Sequence, residues 1–92
     1  MDVNFYIEYH ELVVKEDIPK LSQKEKTRVR EAIETKLKTK PELFGKPLRK
    51  SLKNYRSLRI GNYRVIYRIE GEKVKIFIIQ HRSTVYENIN HR

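Results

Sequence analysis

Positively charged side chains crowd one short stretch of this sequence, RSLRIGNYRVIYRIEGEKVKIFI, which spans residues 56–78. Most of them are arginines, and the planar guanidinium of arginine grips a phosphate group through two parallel hydrogen bonds. Phosphate recognition is therefore the chemistry that this stretch indicates. The charges that could provide it are Arg56, Arg59, Arg64, Arg68, Lys73 and Lys75.

Two glycine dipeptides, Gly61-Asn62 and Gly71-Glu72, predict two-residue hairpin loops of type II′ between three strands. Directly opposite residues share a face of the sheet, and faces alternate along each strand. Counting outward from the loops predicts one apolar face, with Leu58, Ile60, Tyr63, Val65, Tyr67, Ile69, Val74, Ile76 and Ile78. The other face is predicted to be an open, mainly basic surface, with Ser57, Arg59, Arg64, Ile66, Arg68, Glu70, Lys73, Lys75, Phe77 and Ile79.

The same register places like charges opposite each other, Arg59 facing Arg64 and Arg68 facing Lys75. Facing like charges destabilise a sheet, and sequences tend to break local consistency at functional sites. We therefore interpret the basic face as a phosphate-binding surface. The alternative is that these side chains spread into solvent or pair with acidic residues elsewhere.

The remaining elements predict an α+β fold in a single domain, residues 1–92. A first strand is expected over residues 3–9 and a short helix over 11–17 that ends before Pro19. Ser22 and Glu25 form a capping-box pattern that begins a second helix, which ends at residues 39–41. Residues 41–53 are interpreted as a basic connection before strands at roughly 54–60, 63–70 and 73–81. The tail after residue 82 is too short to classify.

The charge and composition of the chain indicate which kinds of binding partner to expect. The 92 residues carry 21 Lys and Arg against 12 Asp and Glu, a formal net charge of +9, which favours a polyanionic partner. A charge-rich surface kept for solubility is the alternative. The sequence has no cysteine, no apolar stretch long enough to span a membrane and no recognisable signal segment. We therefore expect a cytoplasmic protein with no membrane partner. Scattered histidines and no ligand-spaced acidic cluster predict neither metal nor cofactor.

Two motifs resemble the RelE/ParE superfamily of toxin–antitoxin toxins: LRIGNYRVIYRI and the later FIIQHRSTVYENI. The connection PELFGKPLRKSLK is also similar to that family's. The resemblance implies a strand, a two-helix hairpin and an antiparallel meander sheet, together with a neutralising antitoxin. It implies that a RelE-type member enters the ribosome and cleaves mRNA in the A site, whereas a ParE-type member inhibits DNA gyrase.

The resemblance also implies roles for single residues. Arg64 matches the arginine that contacts the scissile phosphate, and Arg82 matches a later arginine that assists the leaving group or the transition state. Tyr86 matches a tyrosine that stacks on or orients the mRNA base. The further RNA-binding residues are expected to be Arg68, Lys75, Arg56 and Lys73.

The sequence differs from RelE-type toxins at the positions expected to accept the proton of the 2′-hydroxyl. Arg59 falls where those toxins can carry a catalytic lysine, and the neighbouring lysine position is Ser57 here. Arginine is effectively never deprotonated, so Arg59 suits phosphate binding better than base catalysis. His81, Tyr86 or a ribosomal group are the candidates for the base.

Three functions stay open from the sequence. The first is a metal-independent, ribosome-dependent mRNA endonuclease, and the second is a ParE-type gyrase inhibitor. The third is a non-catalytic toxin relic that acts with its antitoxin on operator DNA. In each case the expected protein partner is an acidic antitoxin similar to RelB. The endonuclease function adds the ribosome and mRNA as partners.

Overall fold

The computed structural model describes residues 4–92 and shows a five-stranded mixed sheet with strand order β1-β5-β4-β3-β2. β1 runs parallel to β5, and the other neighbours are antiparallel. The strands are β1 (Tyr6–Tyr9), β2 (Lys46–Pro47), β3 (Arg56–Ile60), β4 (Tyr63–Glu70) and β5 (Lys73–His81). The expected α+β class and the antiparallel meander of β3, β4 and β5 are confirmed.

Helical segments precede and follow the meander. The first helix, Val13–Asp17, is of π type and passes into a 3₁₀ turn, Ile18–Lys20. The second helix covers Gln23–Ala32 and continues as a π turn, Ile33–Leu37. A 3₁₀ turn, Lys50–Leu52, lies between β2 and β3, and the C-terminal helix, Val85–Asn88, is followed by the turn Ile89–His91.

The second helix starts as the capping box predicts. The Ser22 hydroxyl accepts from the Glu25 backbone N–H, and the Glu25 carboxylate accepts from the Ser22 backbone N–H. The latter hydrogen bond lowers the pKa of Glu25. The helix buries Val29, Ile33 and Leu37 against the sheet. This first core contains Val13, Leu21, Val29, Ile33, Leu37, Leu58, Val65, Tyr67, Val74, Ile76 and Ile79.

Both hairpins have the predicted register near their loops. Gly61 and Gly71 have positive φ, as the first central residue of a type II′ loop requires. The second central residues, Asn62 and Glu72, do not, because Lys50 is the one non-glycine residue with positive φ among residues 4–92. Arg59 pairs with Arg64, and Arg68 pairs with Lys75. The like-charge pairs expected from the sequence are therefore present.

A β-bulge changes the faces further along β5. Ile76 pairs with Tyr67, but Ile78 rather than Phe77 pairs with Ile66, so Phe77 is the extra residue. The prediction for residues 78 and 79 was therefore wrong. Ile79 belongs to the first core, and Ile78 lies on the opposite face.

The basic face is also less open than expected. Val85 of the C-terminal helix and Ile89 of the turn after it pack on Ile66 and Ile78, and these four residues make a second core. The C-terminal segment is held in place by Arg92, whose guanidinium donates to the carboxylate of Asp17. The second core divides the basic face into two parts.

Other expectations need small corrections. The first helix ends at Asp17, as expected, and Pro19 lies in the 3₁₀ turn that follows, where its missing N–H is tolerated. The connection 41–53 contains β2 as well as a 3₁₀ turn. The first strand begins at Tyr6, and the expected residue Val3 lies outside the described residues.

Candidate active site

Arg59 and Arg64 form the centre of the site. Ile60 and Tyr63 flank the two-residue loop as the hydrogen-bonded pair, so Arg59 and Arg64 are the next, non-hydrogen-bonded pair. Side chains approach most closely in such pairs, with Cα atoms about 4.5 Å apart. Arg59 is exposed and donates from Nε to the Gly61 carbonyl at 3.3 Å, while Arg64 is half-buried.

Ser57 and Tyr86 lie on the same face as the two arginines. Ser57 is two residues before Arg59 on β3 and is buried. The Tyr86 hydroxyl, on the C-terminal helix, donates to Ser57 Oγ at 3.3 Å, while the side chain remains 44% exposed. Tyr86 therefore reaches towards β3 while the residue stays partly exposed.

Arg82 lies at the same end of the sheet, immediately after β5. Its backbone N–H donates to the Asn62 carbonyl at 2.8 Å, which holds it beside the loop between β3 and β4. Its side chain is exposed. We call Arg59, Arg64, Arg82, Ser57 and Tyr86 the basic cluster.

Gln80 is a neighbour of the cluster that the sequence did not indicate. It pairs with Arg64 across β4 and β5. Its amide donates to Asp17 Oδ1 at 3.2 Å and accepts from Asn88 Nδ2 at 2.6 Å. No local sequence signal could have found this contact, because Asp17 and Gln80 are far apart in the chain.

His81 lies on the other face of the sheet. It pairs with Tyr63, and the two rings meet edge to face at 5.5 Å. Its Nδ1 accepts from the backbone N–H of Ser83 at 3.1 Å. The structure thus directs the expected base candidate His81 away from Arg64.

A second group of cations lies beyond the second core. Arg68 is four residues from Arg64, which along a strand is about 13 Å. Arg68 donates to Glu70 at 3.0 Å, and this hydrogen bond lowers the pKa of Glu70. The Lys73 ammonium lies 3.9 Å from the Glu8 carboxylate. Lys75 lies directly opposite Arg68 on the neighbouring strand.

Arg56 is not part of either group. It shares the parity of Leu58 and so points to the face of the first core. Its guanidinium donates to the carbonyls of Glu42 and Gly45, both at 3.0 Å, and to that of Phe44. These contacts hold the backbone that leads into β2.

The basic cluster carries unbalanced positive charge. The ion pairs within residues 4–92 are Lys15–Glu11, Arg68–Glu70, Lys73–Glu8 and Arg92–Asp17, and none of them includes Arg59, Arg64 or Arg82. Adjacent cations without acidic partners favour the binding of an anion such as phosphate.

The described part of the chain contains neither a metal-binding cluster nor a helix that could span a membrane. Across residues 4–92, no group of three or more His, Asp or Glu side chains could hold a metal ion. No helix in that range has the length and apolar character to cross a membrane.

The order and direction of the strands agree with the fold that the family resemblance implies. Residues 8–86 match the family described as the ParE toxin of the type II toxin–antitoxin system parDE. The chain therefore belongs to the RelE/ParE superfamily of toxins from type II toxin–antitoxin systems.

Within that superfamily, the chain is similar to two toxins of Mycobacterium tuberculosis. It is 36% identical to toxin RelE over 72 residues, which are 76% of this chain and 74% of that toxin. It is 40% identical to toxin RelG over 52 residues, 54% of this chain, and the matched stretch spans only 60% of RelG.

Solved structures agree with the fold. A chain of the M. tuberculosis toxin–antitoxin complex RelBE2 superposes with a TM-score of 0.79 at 32% identity, covering 90% of this chain and 99% of that one. A chain of the RelB–RelE antitoxin–toxin complex of Methanococcus jannaschii superposes with a TM-score of 0.67 at 20% identity, covering 87% and 95%. The second likeness supports the fold alone.

Proposed function

We propose that this protein is a ribosome-dependent endoribonuclease that cleaves mRNA in the A site and so inhibits translation in the cytoplasm. The observation that carries the proposal is that Arg59 and Arg64 share one face of the sheet with Tyr86, while the backbone of Arg82 is held beside the β3–β4 loop at the same end. These cations have no acidic partner among the described residues. Similarity to the RelE and RelG toxins supports it further.

The reaction requires the 2′-oxygen of one nucleotide to attack its own 3′-phosphate in line with the departing 5′-oxygen. Negative charge then develops on the phosphoryl oxygens, and fixed cations that stabilise this charge make the largest contribution to the rate. In the proposal Arg64, with Arg59 opposite, binds the scissile phosphate. Arg82 stabilises the departing oxygen, because its backbone is fixed at the same end of the sheet.

Tyr86 is proposed to contact the mRNA base and is one candidate for the group that accepts the 2′-hydroxyl proton. Its exposed ring can stack on an mRNA base, a contact that contributes about 1–3 kcal/mol. Its hydroxyl donates to Ser57, on the face of the sheet that carries Arg59 and Arg64. The proposal leaves proton transfer to Tyr86 or to a ribosomal group and not to His81, which faces the other side of the sheet.

The second cation group extends the RNA contact. Arg68 and its cross-strand partner Lys75 lie about 13 Å from Arg64 along the sheet, and Lys73, which faces Glu70, lies about 20 Å away. All three are too far to reach the same phosphate. We assign them to neighbouring phosphates of the message or of ribosomal RNA. Arg56 is left out, because its guanidinium is engaged by three carbonyls.

The proposed protein partner is an acidic antitoxin similar to RelB. The solved relative at 32% identity is part of a toxin–antitoxin complex, and a net charge of +9 favours an acidic partner. Such an antitoxin would be partly disordered alone and would cover the basic cluster. Co-expression with the neighbouring gene product should give a stable complex, and failure to co-purify would contradict this part.

Primer extension on a reporter mRNA in a reconstituted translation reaction tests the function. Wild-type protein should create new 5′ ends inside the A-site codon. Arg64→Ala and Arg82→Ala should each reduce the cleavage rate about 10²–10³-fold, the typical effect of removing one transition-state donor. Arg30→Ala, an exposed arginine of the second helix, is the charge-matched control and should cleave like wild type.

The matched family description, a ParE toxin, supports gyrase inhibition as a second candidate. Arg59 and Ser57 in place of lysines agree with it as well. Inhibition of DNA supercoiling, together with intact mRNA on programmed ribosomes, would establish that candidate. Salt-dependent operator binding together with the antitoxin, without an effect on translation or supercoiling, would indicate the non-catalytic role instead.

A further inference from the structure

The short strand β2 adds a cation to the face of the basic cluster. Lys46 pairs directly with Ser57, whereas the next residue, Pro47, pairs with Arg56. Directly opposite residues share a face. Lys46 therefore lies on the face of Ser57 and Tyr86, and Pro47 lies on the face of the first core.

The backbone that presents Lys46 is held in place. Tyr67, fully buried, donates its hydroxyl to the Pro41 carbonyl at 2.8 Å and also to that of Phe44. Arg56 donates to the Gly45 carbonyl immediately before Lys46. These contacts fix the start of β2 from the opposite face, so that the exposed ammonium of Lys46 is presented by a rigid segment.

Lys46 also extends the unbalanced charge. It pairs with Ser57, so Arg59, two residues on, is its diagonal neighbour. Such neighbours are about 7–8 Å apart, within reach of long side chains. The ion pairs formed inside residues 4–92 leave out Lys46 as they leave out Arg59 and Arg64. Lys46, Arg59 and Arg64 thus occupy neighbouring positions on one face of the sheet, where anion binding would relieve their mutual repulsion.

We propose that Lys46 is a further substrate-contacting residue, whose ammonium binds an RNA phosphate next to the one that Arg64 holds. This assignment rests on the proposed endonuclease function. The role is that of a charge and not of a proton acceptor, so Lys46→Arg should preserve it and Lys46→Ala should remove it.

Salt dependence of RNA binding tests the contact without any cleavage. The probe is a twelve-nucleotide single-stranded RNA with 2′-O-methyl groups, which cannot be cleaved by its own 2′-oxygen, bound to the free protein. For single strands the slope of log K against log salt is about −0.7 for each phosphate contact. Lys46→Ala should make the slope shallower by about 0.7, and Lys46→Arg should keep it. Lys38→Ala, an exposed lysine after the second helix, is the matched control and should match wild type.

Cleavage on programmed ribosomes gives the second readout. Lys46→Ala should lower the rate at least about tenfold, the lower range for losing one charged hydrogen bond, and Lys46→Arg should stay within about threefold of wild type. An unchanged salt slope and unchanged cleavage in Lys46→Ala would overturn the assignment while leaving the endonuclease in place. If wild-type protein leaves the message intact, the proposed function fails and the salt slope alone decides the role of Lys46.

Discussion

Replacing Arg59 by glutamate should make the fold more stable and the protein inactive. Arg59 faces Arg64 in a non-hydrogen-bonded pair, where like charges destabilise and opposite charges contribute roughly 0.2–1 kcal/mol. Arg59→Glu removes the repulsion and adds an attraction, and it loses the hydrogen bond to Gly61. Since Arg59 is exposed, we expect a net gain of only about 0.5–1 kcal/mol. For a domain of this size that raises Tm by about 2–8 °C.

Thermal unfolding followed by circular dichroism at low and at high salt measures this gain. Arg59→Gln, which removes the charge alone, should give a smaller rise than Arg59→Glu. Both differences should shrink at 1 M salt, where the screening length is about 3 Å. A Tm for Arg59→Glu at or below that of wild type at low salt would refute the reasoning that the arginine pair is destabilising.

The same variant tests why the pair exists. Arg59→Glu places a carboxylate where the proposed phosphate would bind, so cleavage on programmed ribosomes should fall below that of Arg59→Gln. A stabilised variant with full activity would show that the facing arginines are not retained for phosphate binding. Loss of activity with higher stability is the combination that supports a functional origin.

Three further predictions concern side chains that hold buried or cross-strand hydrogen bonds. Breaking the buried Arg92–Asp17 pair by Arg92→Ala or Asp17→Asn should each cost about 3–5 kcal/mol in urea unfolding, with the double variant far from additive; single losses near zero would contradict this. Tyr67→Phe should lower the unfolding free energy by about 1–3 kcal/mol, because buried carbonyls lose their donor; an unchanged urea midpoint would be against it. Tyr86→Phe should slow cleavage by about 10²–10⁴-fold if its hydroxyl transfers the proton, with RNA binding unchanged; equal rates would assign the proton to a ribosomal group.

The hairpin register was predictable because it depends on local signals. Gly61 and Gly71 set the loop type, and the period-two pattern of apolar residues then fixes which residues face each other. The Ser22–Glu25 capping box likewise needs only four residues of sequence. The Arg59–Arg64 pair was found for the same reason.

The parts that escaped prediction depend on long-range packing. The bulge at Phe77 leaves no local signal in FIIQ, and it exchanges the faces of Ile78 and Ile79. The C-terminal helix is too short for a clear helical period, so its cover over Ile66 could not be foreseen. Arg56 looked like any other cation of the stretch, yet strand parity and the loop carbonyls give it a structural task.

The place of Lys46 was hidden for a similar reason. Pro47 and nearby Gly45 indicate a loop, so a two-residue strand opposite Ser57 could not be inferred. Only the structure brings this lysine onto the face of the arginines. Local sequence signals thus predicted the arginine pair, and the strand pairing shows which other cations lie on the same face.

The most direct test of the central claim uses a reporter mRNA with a single 2′-deoxy nucleotide at the scissile position of the A-site codon. Wild-type protein on programmed ribosomes should cleave the all-ribose message and leave a 2′,3′-cyclic phosphate end, and the 2′-deoxy message should stay intact. Cleavage of the 2′-deoxy message at the same position would contradict attack by the 2′-oxygen. An intact all-ribose message would contradict the endonuclease itself.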